Sequence, residues 1–127
     1  MSEQETSQLM NRQWLLARRP AGGLPEEGDF AWRESPVPQP ADGQVLTRTI
    51  YLSMDPYQWV RRRSGAEEPG GVCHGRTVSQ VMVSRMPEYE AGDYLFNTNG
   101  WQEYGLSGAG ITAYGYMHPR KLCLLYT

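Results

Sequence analysis

Apolar and polar residues alternate with a period of two from position 45 to 52. Leu46, Arg48, Ile50 and Leu52 share one face and Val45, Thr47, Thr49 and Tyr51 the other, which predicts a central extended strand. Asp55-Pro56 ends it, because proline has no N–H for a ladder and fixes its own φ. Asp55 is placed to cap a short helical turn over residues 58–63. Further short strands are predicted at 13–18, 30–34, 77–84 and 94–97, with 101–106 following. Turn chemistry separates them: a Gly-rich loop at 21–28, an extended linker paced by Pro36, Pro38 and Pro40, the Asp42-Gly43 turn, and Gly92-Asp93. Short strands joined this way predict a mainly β fold, a small barrel or sandwich with short helical turns. No internal repeat is visible, and the polar stretch 1–10 is expected to be a flexible N-terminus ahead of one domain over 11–127.

Candidate chemistry falls at the end of the central strand. Tyr57 follows Pro56 on a turn that can present a phenol to a cleft. The residues alone leave two readings open: a phenol facing a ligand, or a ring packed on the barrel with its hydroxyl in water. Composition mostly excludes. The 127 residues suit one domain with a real core, and 14 Gly with 9 Pro suit many turns rather than long helices. A formal net charge of −2 gives no general attraction to nucleic acid or an anionic membrane. No apolar run reaches a membrane span and the polar start is no signal peptide, so a cytoplasmic location is expected. Cys73 and Cys123 sit in no recognised spacing and read as reduced thiols.

Four stretches carry a resemblance. Tyr51-Leu52-Ser53-Met54-Asp55-Pro56-Tyr57 resembles the YLS-x-DPY signature of the medium-chain dehydrogenase/reductase superfamily. Residues 11–20 resemble the opening strand of its bacterial members, and 78–84 with 87–93 resemble their VSRVV…HPDF..GD segment. Gly100-Trp101-Gln102-Glu103-Tyr104 resembles their GWQ-(D/E)-Y. The branch so matched is the zinc-independent one of leukotriene B4 12-hydroxydehydrogenase, also called prostaglandin reductase, and the alkenal/one and curcumin reductases. The resemblance implies a GroES-like barrel that lacks the family's Rossmann domain and is apparently truncated. Two departures bear on it. Trp59 stands where family members usually carry an arginine, and Arg76 stands where some plant relatives have a pocket tyrosine.

The resemblance also implies a chemistry. In such enzymes NADPH gives hydride to the β-carbon of an α,β-unsaturated ketone or aldehyde, and the developing enolate needs preorganised donors. Tyr57 matches the barrel tyrosine that lines the substrate pocket, and Ser53 and Met54 would lie on the nicotinamide side. Trp101 and Tyr104 are candidates for pocket or core, with core the default for buried aromatics. The implied partners are a small enone and a separate Rossmann-containing segment or a second copy. This chain alone is expected to be inactive and not to hold NADPH. The reading from another class is a stand-alone GroES-like barrel serving as a binding or assembly module.

Three motifs invite other readings. Gly108-Ala109-Gly110-Ile111-Thr112-Ala113 fits G-x-G-x-x-(G/A), yet Gly115 and Pro119 oppose the helix that a dinucleotide site requires. Gly110 to Tyr114 also resembles the GLTAY stretch ahead of the family's nucleotide-binding domain, and both readings stay open. Cys73-His74 falls near a zinc position of the zinc-dependent relatives, but Ser53 and Met54 offer no other ligand, so no metal is expected. Arg61-Arg62-Arg63 reads as a solvated face rather than a phosphate site.

Overall fold

The computed structural model describes residues 3–6, 8–112 and 115–122. The fold is mainly β, as expected. Strands β1 (Met10–Leu16) and β2 (Phe30–Pro36) form an antiparallel pair, with Trp14 opposite Trp32 and the two rings edge to face at 5.1 Å. Strands β3 (Gln44–Leu52), β4 (Thr77–Ser84), β5 (Tyr94–Asn97), β6 (Tyr104–Gly108) and β7 (Arg120–Lys121) form an antiparallel sheet in the order β6-β3-β4-β5-β7. The two sheets are stitched together through β1. The Trp14 N–H donates to the Trp101 carbonyl at 2.9 Å, and the Cys73 N–H to the Trp14 carbonyl at 3.0 Å.

The central strand lies where the pattern puts it, but its alternation does not survive. Val45, Leu46 and Thr47 are all fully buried, and the β3–β4 register shifts between Leu46 and Thr47 and again between Thr49 and Tyr51. Each shift moves side chains to the other face, so one strand buries both faces at one end and exposes Arg48 and Tyr51 at the other. The strand expected at 101–106 begins at Tyr104, because residues 101–103 bond to β1 instead: the Glu103 N–H donates to the Arg12 carbonyl at 3.2 Å. The first strand runs from Met10, earlier than expected, since its pairing with β2 extends to Pro36. Ahead of it the polar start holds one helical turn, α1 (Glu3–Thr6); Thr6 is buried with its hydroxyl 3.3 Å from Gln39 Oε1.

Among the described residues, buried polar or charged residues outnumber buried hydrophobic ones. Val45, Val81, Met86 and Leu95 make the apolar core, with Tyr89 against it. Beside it, buried Asn97 accepts the hydroxyls of Thr77 and Ser79 at 2.6 and 2.8 Å and donates to Ser107 Oγ at 3.1 Å. Asn99 donates to Thr47 and Thr49 at 2.9 and 3.0 Å. Buried polar atoms so paired avoid the desolvation cost of an unmet group and fix the strand register.

Helix α2 (Pro56–Ser64) is longer than the turn expected at 58–63. Pro56 opens it, preset in φ and missing only an N–H that would be orphaned there. Asp55 is the N-cap residue but makes no side-chain cap bond; its carboxylate accepts the Ser53 hydroxyl instead. Gly65, at φ 84, ends the helix.

Candidate functional site

Tyr57 stands on the first turn of α2. Its hydroxyl lies 3.0 Å from His74 Nε2, and the two rings meet edge to face at 5.9 Å. Tyr57 keeps 38% of its surface exposed and His74 only 6%. The phenol is therefore the wet end of a pair whose imidazole is buried. Of the two readings of Tyr57, the structure has an exposed ring whose hydroxyl is held by a histidine.

His74 is held by more than the phenol. Its backbone N–H donates to Glu67 Oε1, and its backbone carbonyl accepts Arg62 Nη2 at 2.8 Å. Arg62 Nε and Glu67 Oε2 are 2.7 Å apart, both side chains only 4% exposed. The Arg62 guanidinium also lies 4.9 Å from the Trp101 ring centre, and Trp101 stacks on Phe30 at 5.5 Å. A buried charge is tolerable only when paired and hydrogen-bonded, and Arg62 has a carboxylate, a carbonyl and an aromatic face. Gly115, at φ +69, closes against the imidazole, where an added Cβ would come within 2.4 Å of His74 Cε1 and 3.1 Å of Nε2.

This clamp corrects one expectation and supplies what the sequence reading missed. Arg61 and Arg63 are exposed, but Arg62 is buried at 3% exposure and is not part of a solvated face. Helical periodicity puts Gln58 and Arg62 on the same inward side, and Gly65 turns the chain back so that Glu67 reaches Arg62. The opposite charges flanking that glycine were the available signal. Trp59, at the departure from the family pattern, donates its indole N–H to the Gly23 carbonyl at 2.7 Å. Arg76, the other departure, lies with Nη1 2.9 Å from Met117 Sδ.

The remaining candidates fall into place around the pair. Ser53 and Met54 occupy the β3–α2 connection. The polar groups of Ser53 are engaged within the chain: its N–H donates to the Arg76 carbonyl and its carbonyl accepts Gln58 Nε2 at 3.0 Å. Met54 is 65% exposed, and with Tyr51, Tyr57 and Val60 it makes exposed apolar side chains at every third position along this segment. Against NADPH, these residues suit the flat apolar face of a nicotinamide and offer no phosphate donor. The loop at Gly108 and Gly110 opens no helix within the described residues; Gly108, at φ +121, passes so close to the Gly43 carbonyl that a Cβ there would meet it. Ala113 and Tyr114 of the motif lie outside the described residues.

Cys73 is fully buried, and desolvation pushes its thiol up to about 12. It stays a thiol at neutral pH, a poor start for a metal ligand. Among the described residues no group of three or more His, Cys, Asp or Glu side chains could hold a metal ion, and no helix is long and apolar enough to cross a membrane. Two cavities border the clamp. The larger, about 780 Å³, is lined by Gln13, Glu67, Cys73, His74 and Asn99 among others; the smaller, about 290 Å³, by Trp14, Trp32, Leu52 and Trp101. Trp101 thus serves as pocket wall and core at once, while half-buried Tyr104 donates its N–H to Asn11 Oδ1 at 3.0 Å.

Comparison with known proteins converges on one family. The family model described as the N-terminal domain of oxidoreductase matches residues 12–113. The chain is 44% identical over 105 residues to the NADPH-dependent curcumin reductase of Escherichia coli, covering 76% of this chain and 29% of that protein. It is 30% identical over 129 residues to the NADP-dependent 2-alkenal reductase of Nicotiana tabacum, covering 94% and 37%. The crystal structure of CurA from Vibrio vulnificus in complex with NADPH superposes with a TM-score of 0.67 at 43% identity, over 76% of this chain and 30% of that one. The chain spans about a third of the length of these relatives.

Proposed function

The chain belongs to the family of oxidoreductase N-terminal domains, on the NADPH-dependent, prostaglandin and curcumin reductase side of the medium-chain superfamily, and we propose that it forms the substrate-side part of an enone reductase. The substrate class is the α,β-unsaturated ketones and aldehydes. The observation that carries the reading is Tyr57: an exposed phenol on the first turn of α2, held at 3.0 Å by a buried histidine.

NADPH, when bound, supplies the hydride that adds to the β-carbon. What this chain must do is hold the carbonyl end and meet the negative charge that grows there. The Tyr57 O–H donates to that oxygen, a donor preorganised by its helix and its histidine and so needing little rearrangement as charge develops. Met54 offers the apolar wall on the nicotinamide side, with Ser53 holding the backbone beneath it. The exposed apolar side chains Tyr51, Met54 and Val60 support a covered role for this rim, under a nucleotide-binding segment.

The test joins this chain to a nucleotide-binding domain from a relative and follows NADPH consumption with a simple enone. Alone, the chain should consume none. In the joined protein, Tyr57→Phe keeps the ring and removes the donor, and kcat should fall roughly 10-fold or more. A Phe variant with unchanged kcat and KM across several enones would remove Tyr57 from the site.

A further inference from the structure

We infer that His74 is a positioning residue for Tyr57: its Nε2–H donates to the phenol oxygen and leaves the phenol's own proton free for the substrate. The inference rests on the reading of Tyr57 given above and deepens it. A phenol has one proton to give and can also accept. At 3.0 Å the pair can be hydrogen-bonded in two ways. If Tyr57 donates to Nε2, its single proton is consumed and its oxygen can only accept, which is useless to a growing enolate. If Nε2 carries the proton, the phenol oxygen accepts it and its O–H turns outward. Accepting that bond also polarises the O–H and makes it a better donor.

The surroundings favour a fixed imidazole. Tyr57 is exposed enough to take a second partner, whereas His74 is buried and cannot trade Nε2 for water freely. The Arg62–Glu67 pair holds the His74 backbone from both its N–H and its carbonyl. Gly115 approaches the imidazole so closely that an added Cβ would come within 3.1 Å of Cε1, Nδ1 and Nε2, which leaves the ring little room to move on that side. Among the described residues, the titratable or charged side chains near His74 include Tyr57 and Arg62 on α2, Glu67 in the loop beyond it, and the neighbouring Cys73. Arg62 and Glu67 neutralise each other. The imidazolium and the neutral Nε2–H tautomer both carry a proton at Nε2 and can fill the donor role, whereas the Nδ1–H tautomer cannot.

Two measurements test this. Long-range proton–nitrogen correlation spectra of the ¹⁵N-labelled 127-residue chain should show a pyrrole-type Nε2 on His74, and that signal should move in Tyr57→Phe. In the chain joined to a nucleotide-binding domain, His74→Gln carries an amide N–H that can replace the donor and should keep kcat within about 3-fold of the parent. His74→Phe keeps an aromatic ring without the donor and should lower kcat roughly 10-fold with little change in KM. A pyridine-type Nε2 in the unaltered chain overturns the inference, even if Tyr57→Phe still lowers kcat and the enone reading stands. Equal losses in Gln and Phe overturn it in favour of a packing role. A pyrrole-type Nε2 with no effect of Tyr57→Phe on kcat overturns the enone reading itself, and this inference with it.

Discussion

Glu67→Gln exchanges one carboxylate oxygen for an amide nitrogen at nearly constant volume, and it strikes the clamp behind the site. In the parent, Oε2 accepts Arg62 and Oε1 accepts the His74 N–H, in a place where both charged side chains are 4% exposed. An amide has only one accepting atom there. Whichever way it turns, an NH₂ group faces either a guanidinium or a backbone N–H, and Arg62 loses its countercharge. Breaking a buried ion pair from one side typically costs about 3–5 kcal/mol. A domain this size has about 5–15 kcal/mol in all, so roughly a fifth or more of its stability is at stake. At the midpoint this corresponds to a fall of roughly 10–20 °C. Urea and thermal unfolding followed by tryptophan fluorescence would measure it. Glu67→Leu removes both acceptors and should cost about 1–3 kcal/mol more, the penalty for the orphaned His74 N–H. Asp42→Asn is the control: Asp42 pairs with Arg85 but is 92% exposed, so its loss should cost about 0–1 kcal/mol. If Glu67→Gln behaves like that control, the clamp contributes nothing and the reasoning fails.

Three further outcomes are expected. Cys73 in a Cys123→Ser background should resist a disulfide reagent at pH 8 in the folded chain and react at once when unfolded, and rapid native labelling would contradict its burial; because its folded pKa of about 12 exceeds the ordinary 9.0, the unfolded state sheds the proton first and stability should fall as pH rises from 9 toward 12. Asn97→Leu removes the acceptor of two buried hydroxyls and the donor to a third, and should lower the unfolding free energy by about 2–4 kcal/mol in urea titration, whereas a neutral result would show that Thr77, Ser79 and Ser107 satisfy one another. Elemental analysis of the purified chain should find no stoichiometric zinc, and about one zinc per chain that disappears in His74→Gln would reverse that expectation.

The β character of the chain, the turns at Gly43 and Gly92, and the strands at 77–84 and 94–97 were legible from the sequence because each depends on local chemistry. Period-two patterning needs only neighbouring residues, and Gly and Pro act through their own φ. The family was legible for a related reason: its signature is a contiguous string, Tyr51 to Tyr57, that needs no fold to be read. Tyr57 as a candidate came with that string. Its partner did not, since Cys73-His74 is read in sequence as a metal motif and nothing local says that the imidazole meets a phenol 17 positions earlier.

What only the tertiary structure decided are the outcomes in which distant groups compete for one another. The register shifts in β3 accompany the burial of three consecutive residues in a strand paired on both sides, by β4 and β6, and no alternation can announce that. Arg62 looks solvated in a run of three arginines until Gly65 folds Glu67 back upon it. A charge enters the interior only if a countercharge arrives with it, and which countercharge arrives depends on the path of the chain. The sequence by itself therefore determined the strands, the turns and the kinship. The polar interior of Asn97 and Asn99, and the clamp that holds His74 against Tyr57, were decided by packing, because the free energy of a buried polar group is set by whatever partner the fold places within hydrogen-bond reach of it.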